Sequence, residues 1–239
     1  MASPQRKSQL TYPGCDGYPR SEFDLNRLLM DYTEFVIKTR CADQPTGYVS
    51  ANLFIYYEKG NPRKRVSPDV FYVKQAPKGL RERYLIWEEG FVPDVAFEYV
   101  AESSWRMDPV EKRAIYEHIG IPEYYVYDPR HRWLKPPLWA YRLENGKYVE
   151  TKVESGEYVS PVLGLRMKVE AEWLRFYDAT TGERCLTAEE QAQRSAFDAA
   201  RAAEEARRAD REAARADAGS AELLALKREN ERLRRQLET

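Results

Sequence analysis

Two acidic side chains occur in segments that otherwise read as buried strands. In residues 93–101, PDVAFEYVA, strand alternation puts Asp94, Ala96, Glu98 and Val100 on one face and Val95, Phe97 and Tyr99 on the other. Glu98 therefore has apolar neighbours on its own side. A lone buried carboxylate costs several kcal/mol unless it is paired or holds a cation. Asp69 opens a second strand-like segment, DVFYV, on the face it shares with Phe71 and Val73. Two carboxylates about 30 residues apart, each on a strand, converge if those strands are neighbours. That pairing suits a hard cation, Mg²⁺ or Mn²⁺, which takes oxygen ligands and completes its shell with water. Such an ion lowers the pKa of bound water and neutralises charge developing on a phosphate.

A lysine joins them. Lys112 shares a helical stripe with Ile115, Tyr116 and Ile119 that should face a sheet. From the first turn its ammonium can reach the end of the preceding strand, where it would orient a water or stabilise a phosphoryl transition state. The bland alternatives are a lysine whose charge snorkels to water and a Glu98 at a solvent-facing strand edge. Asp94 is a further acidic candidate on Glu98's face, although Pro93–Asp94 also reads as a simple turn. His118 and His131 have no carboxylate or cysteine at metal-ligand spacing and read as structural or surface residues. Ser103 and Ser104 lack a nucleophile-elbow context, and neither a phosphate loop nor a dinucleotide fingerprint occurs. Basic clusters at Arg63, Lys64 and Arg65, at Lys78, Arg81 and Arg83, and at Arg130, Arg132 and Lys135 can contact phosphates, or simply be solvated loop charge.

The elements that must position these residues follow in order. Residues 21–39 carry Phe23, Leu28, Met30, Phe35 and Ile37 among charges and predict a helix. YVSANLFIYYE, residues 48–58, predicts one strand, with a turn at 60–62. Strands at 69–73 and 93–101 come next. Asp108 as cap, Pro109 in the first turn and Glu111 three residues after the cap predict a helix to Ile119, closed by Gly120 and Pro122. Strands at 123–128, 139–143 and 148–153 follow, the last two joined by a turn at 144–147. This order predicts an α/β core with a mixed sheet.

After Gly182 the composition changes to Ala, Arg and Glu, and Thr187–Glu190 is a capping box that opens a long helix. Its alanines, and then Leu223, Leu226, Asn230, Leu233 and Leu237, alternate spacings of three and four, with a frame shift at Gly219–Ser220. Asn230 at a heptad core position points to a parallel dimeric coiled coil; the alternative is a single solvated helix. The expected organisation is a lead-in at 1–20, a domain at 21–178, a linker at 179–186 and a coiled-coil helix at 187–239. The net charge of −1 argues against coating nucleic acid by charge alone. Three scattered cysteines (Cys15, Cys41, Cys185), a mean hydropathy of −0.72 and the lack of a signal-like or membrane-spanning run predict a cytoplasmic, soluble protein.

VSPDVFYV at 66–73, WEEGFVPDVAFEYVAESS at 87–104 and DPVEKRAIYEHIGIPEYYVYDP at 108–129 together resemble the Uma-two family, restriction-endonuclease-like proteins of the PD-(D/E)XK superfamily. The likeness spans roughly residues 21 to 187. It implies a restriction-endonuclease-like fold and metal-dependent cleavage of DNA phosphodiesters. Asp69 then matches the superfamily's PD aspartate and Glu98 the acidic residue of its (D/E)XK element. Val100 stands where that motif has lysine, and Lys112 is the match for a lysine supplied from the following helix. The resemblance also leads one to expect another acidic residue near the first helix, for which Glu22 is the candidate, and a histidine where this chain has Asn26. A degenerate nuclease-fold module that binds a partner or nucleic acid and dimerises through its tail is the alternative function.

Overall fold

The structure, a computed structural model, describes residues 11–12, 24–101 and 108–237. The chain divides into two units, Met1–Thr187 and Ala188–Thr239.

The first unit begins with helix α1 (Asp24–Arg40) and strand β1 (Thr46–Ala51). The single strand expected over 48–58 is broken. Asn52 takes a left-handed φ of 52° and its N–H bonds back to the carbonyls of Pro68 and Asp69, so the chain turns before β2 (Ile55–Tyr56). Asn tolerates that conformation better than its β-branched and aromatic neighbours, which is why one strand-like run makes two strands. Then come β3 (Arg65–Val66), β4 (Val70–Pro77), β5 (Tyr84–Leu85), the short helix α2 (Ile86–Glu89) and β6 (Val95–Tyr99). A π-helical turn (Asp108–Lys112) leads into α3 (Arg113–Ile119). The expected Asp108 side-chain cap lies outside the described side chains, but the expected stop is present. Gly120 adopts φ 89° and its N–H caps the carbonyls of Tyr116 and Glu117, a conformation glycine reaches without strain. β7 (Glu123–Tyr127), β8 (Leu138–Glu144) and β9 (Lys147–Lys152) follow, with Asn145 and Gly146 both at positive φ in the β8–β9 hairpin.

Among the described residues a six-stranded mixed sheet has the order β1-β4-β6-β7-β8-β9, with β6 and β7 parallel and the other pairs antiparallel. One face carries Phe71, Val73, Ala96, Val126 and Tyr124 and packs with Tyr116 of α3 and with Ile55, Val66 and Tyr84 of the small sheet β3-β2-β5. The other face, with Val70, Tyr72, Val95, Phe97 and Tyr125, packs against α1. It also packs against a three-stranded sheet that the sequence reading did not anticipate: β10 (Glu157–Ser160), β11 (Leu165–Glu170) and β12 (Trp173–Asp178).

α1 buries Met30 and Ile37 of the residues that apolar periodicity selects, leaves Phe35 half-buried, and turns Leu28 outward. Leu28 is 49% exposed, while Asn26, Leu29, Met30, Thr33, Val36 and Ile37 are buried. Two polar residues enter the stripe because β6 gives them partners. Asn26 Nδ2 donates to the Tyr99 carbonyl at 3.1 Å, and the Thr33 hydroxyl pairs with that of Tyr99. A buried polar group so paired avoids the penalty that would otherwise exclude it.

The second unit is the single helix α4 (Ala188–Leu237). The frame shift at Gly219–Ser220 does not interrupt it, since an exposed glycine costs a helix only about 1 kcal/mol. No helix among the described residues is long and apolar enough to cross a membrane.

Candidate active site

The sheet register brings the first two predicted residues together. β4 and β6 pair antiparallel through Val70↔Phe97, Phe71↔Ala96 and Tyr72↔Val95, and one further step sets Asp69 opposite Glu98. Both then lie on the face of Phe71 and Ala96, the side covered by α3. Asp69 is half-buried, and its Oδ2 accepts the Tyr99 N–H at 2.7 Å, which ties the carboxylate to the end of β6. Glu98 is 1% exposed, so it is no solvent-facing edge residue.

Two donors from the helical segment hold it. Lys112 Nζ lies 2.6 Å from Glu98 Oε2, and the Tyr116 hydroxyl donates to Oε1 at 2.6 Å. The same ammonium donates to the Ser67 carbonyl at 3.3 Å, linking α3's leading turn to the segment that enters β4. The Lys112 side chain is 25% exposed, so the pair meets solvent from the lysine side alone. Tyr116 is fully buried. Burial first, then the negative charges of Glu98 and Asp69, push its phenol well above the ordinary value, and it stays a proton donor to Glu98. Sequence reading placed Tyr116 on the apolar stripe and missed this role. The available signal was its position four residues after Lys112, one turn along the same helical face.

The donor set suits a hard cation. Each carboxylate oxygen can accept more than one partner, so the bonds from Lys112 and Tyr116 are compatible with a cation on Glu98. Ser67 Oγ, two residues before Asp69, is buried without a hydrogen-bond partner among the described residues, an oxygen left open where the chain enters the site. No cluster of three or more His, Cys, Asp or Glu side chains forms among the described residues. The arrangement fits an ion held by one or two carboxylates, with water and phosphate completing the shell, which is how Mg²⁺ is usually bound.

The remaining candidates fall elsewhere. Asp94 Oδ2 accepts the Lys74 N–H at 2.7 Å, and four strand residues, about 13 Å, separate it from Glu98. Burial raises its carboxyl above the ordinary value, partly offset by the bond from Lys74. Glu22, Ser103 and Ser104 lie outside the described residues. Val100 is 1% exposed and apolar, so the ammonium at this site comes from Lys112. Asn26 holds the carbonyls of Tyr99 and Val100 and thereby braces the end of β6. His118 and His131 pack edge-on against Tyr57 and Tyr127. Lys78 bonds the carbonyls of Cys41 and Ala42, and Arg81 pairs with Glu89 at 2.6 Å, so these two basic residues stabilise the fold. A cavity of about 480 Å³ lined by Lys38, Cys41, Tyr48 and Lys78 does not include Asp69, Glu98 or Lys112.

With that geometry in place, comparison with known proteins decides the family. The profile of the Uma2 family, described as "Putative restriction endonuclease", matches residues 22–174. The chain belongs to the Uma2 family. The Uma2 match contains Asp69, Glu98 and Lys112 and ends within β12, so α4 lies outside it. Among solved structures, the crystal structure of a "putative nuclease belonging to DUF820" from Anabaena variabilis aligns with a TM-score of 0.46 and 11% identity, over 72% of this chain and 82% of that one. No curated protein matches. Membership of Uma2 supports a nuclease function.

The buried ion pair gives this Uma2 protein a measurable signature. Lys112→Met strips the ammonium from a buried carboxylate, and should lower the unfolding free energy by about 2–4 kcal/mol. In a double-mutant cycle with Glu98→Gln, read by urea denaturation, the coupling should exceed about 1 kcal/mol. Additive losses would show that the two groups do not depend on one another.

Proposed function

We propose that the protein is a Mg²⁺- or Mn²⁺-dependent endonuclease that hydrolyses phosphodiester bonds of DNA. The observation that carries the reading is the cross-strand placement of Asp69 and Glu98 with the Lys112 ammonium on one of them. Asp69 and Glu98 would hold the ion, which when bound supplies an acidified water and neutralises charge on the phosphate. The protein's own groups prepare that place. Tyr116 and Lys112 fix the Glu98 carboxylate in one orientation by bonding both of its oxygens. The Tyr99 N–H anchors one oxygen of Asp69, Oδ2. Lys112 also sets a positive charge at the solvent side of the pair, where an approaching phosphate gains negative charge in the transition state. The sheet and α3 exclude water from behind Glu98, which strengthens these interactions.

A second reading, a degenerate nuclease-fold module, draws support from Val100 in the usual lysine position and from the absence of a third clustered acidic ligand among the described residues. Cleavage separates the two. Purified full-length protein given plasmid and single-stranded DNA with Mg²⁺ or Mn²⁺ should cut, and Asp69→Asn should cut at least about 100-fold more slowly. No cleavage with either metal, or equal cleavage by the variant, favours the degenerate module.

We further propose that α4 pairs with a second copy as a parallel coiled coil. Leu223, Leu226 and Leu233 are 56%, 62% and 49% exposed, and Leu223, Leu226 and Asn230 line one shallow groove on the helix. Apolar side chains at alternating three and four spacing need a facing helix to leave water, and an asparagine among them fixes register. Light scattering should give the mass of two chains for the wild type and one for the Leu226→Glu, Leu233→Glu double variant. A monomeric wild type contradicts the proposal.

A further inference from the structure

The register across the sheet extends the row of chemically active side chains past Glu98. Glu98 pairs with Val126 on β7, Val126 with Trp139 on β8, and Trp139 with Lys152 on β9. Directly paired residues share a face, so Asp69, Glu98, Val126, Trp139 and Lys152 form one line on the side where α3 docks. Trp139 and Val126 belong to the same apolar cluster as Tyr116, which confirms the face. At about 4.8 Å per strand, the Trp139 backbone stands about 10 Å from that of Glu98 and Lys152 about 14 Å away. Trp139 and Lys152 thus lie two and three strands along the row from Glu98.

The two outer side chains of this line are not fully enclosed by the core. Trp139 is only partly buried, yet its indole N–H is buried without a hydrogen-bond partner among the described residues. A tryptophan in a settled core normally finds one. Lys152 keeps its ammonium 4.9 Å from the centre of the indole ring, remains 50% exposed and touches Glu150 only at 4.0 Å. An aromatic face with a loosely held cation above it, in line with a phosphodiester-cleaving centre, is the equipment of single-strand nucleic-acid binding. Bases stack on the ring and phosphates meet the lysine.

We propose that Trp139 and Lys152 form a nucleotide subsite that receives an unpaired base beside the scissile phosphate. The base takes the ring face now covered by the lysine, whose flexible side chain moves to the adjoining phosphate. The substrate class is therefore single-stranded or locally unpaired nucleic acid. This inference rests on the nuclease reading for its location, but not for its test.

Binding of a fluorescein-labelled single strand and of the duplex of the same sequence is measured by anisotropy with the full-length chain in EDTA, so that nothing is cut. Trp139→Leu, which keeps apolar bulk without an aromatic face, should weaken single-strand binding about 10-fold or more, and Trp139→Phe should stay within about threefold of wild type. Duplex affinity should change less than about twofold in both. Lys152→Gln should reduce the slope of log affinity against log salt by about 0.7 for the single strand. Unchanged single-strand binding in Trp139→Leu, or an equal loss for single strand and duplex, overturns the subsite. If the wild type fails to cut DNA while these binding differences hold, the nuclease reading fails and the subsite stands.

Discussion

Glu98 is held in the interior of the sheet by an ammonium at 2.6 Å on one oxygen and a phenol at 2.6 Å on the other, and the architecture around it follows from that requirement. A buried carboxylate needs charge and donors close by, and both come from a single stretch, Lys112 and Tyr116, one helical turn apart. That stretch cannot drift from β6 without exposing an unpaired charge. The ion pair therefore fixes where α3 lies on the sheet. Lys112 also reaches the Ser67 carbonyl, so the entry to β4 is tied to the same point.

The sheet then acts as a ruler. The antiparallel β4–β6 register carries Asp69 to Glu98, and the pairs running through β7, β8 and β9 carry the same line to Trp139 and Lys152. On the reverse face, α1 contributes Asn26 and Thr33 to β6, and the sheet β10–β12 completes the cover. The end of β6 is thus braced from both sides. Tyr99 donates its N–H to Asp69, its carbonyl accepts from Asn26, and its hydroxyl pairs with that of Thr33. Rigid support of this kind is what a site needs if two carboxylates are to keep a fixed separation.

How much of this was legible in the sequence depended on how local the signal was. Glu98 announced itself because strand alternation is a local pattern and an acid on an apolar face violates it. Lys112 followed from helical spacing. Tyr116 was hidden because tyrosine fits an apolar stripe equally well; only the contact reveals its hydroxyl. On α1, Met30 and Ile37 were legible as buried, but Asn26 and Thr33 were not, because the partners that make them buriable lie more than 60 residues away. The missing three-stranded sheet is a different failure. Leu165 and Met167, and Leu174 and Phe176, are buried at every second position, so the alternation was there to read between polar residues. The break at Asn52 depended on bonds to Pro68 and Asp69, which no reading of residues 48–58 alone contains.

The central claim is that Asp69 and Glu98 share one cation. Anomalous diffraction from crystals of the full-length protein soaked in Mn²⁺ tests it most directly. A single strong peak at about 2.1 Å from an oxygen of each carboxylate is the expected result. Manganese bound elsewhere, or no peak while both carboxylates keep only their protein partners, would contradict the account.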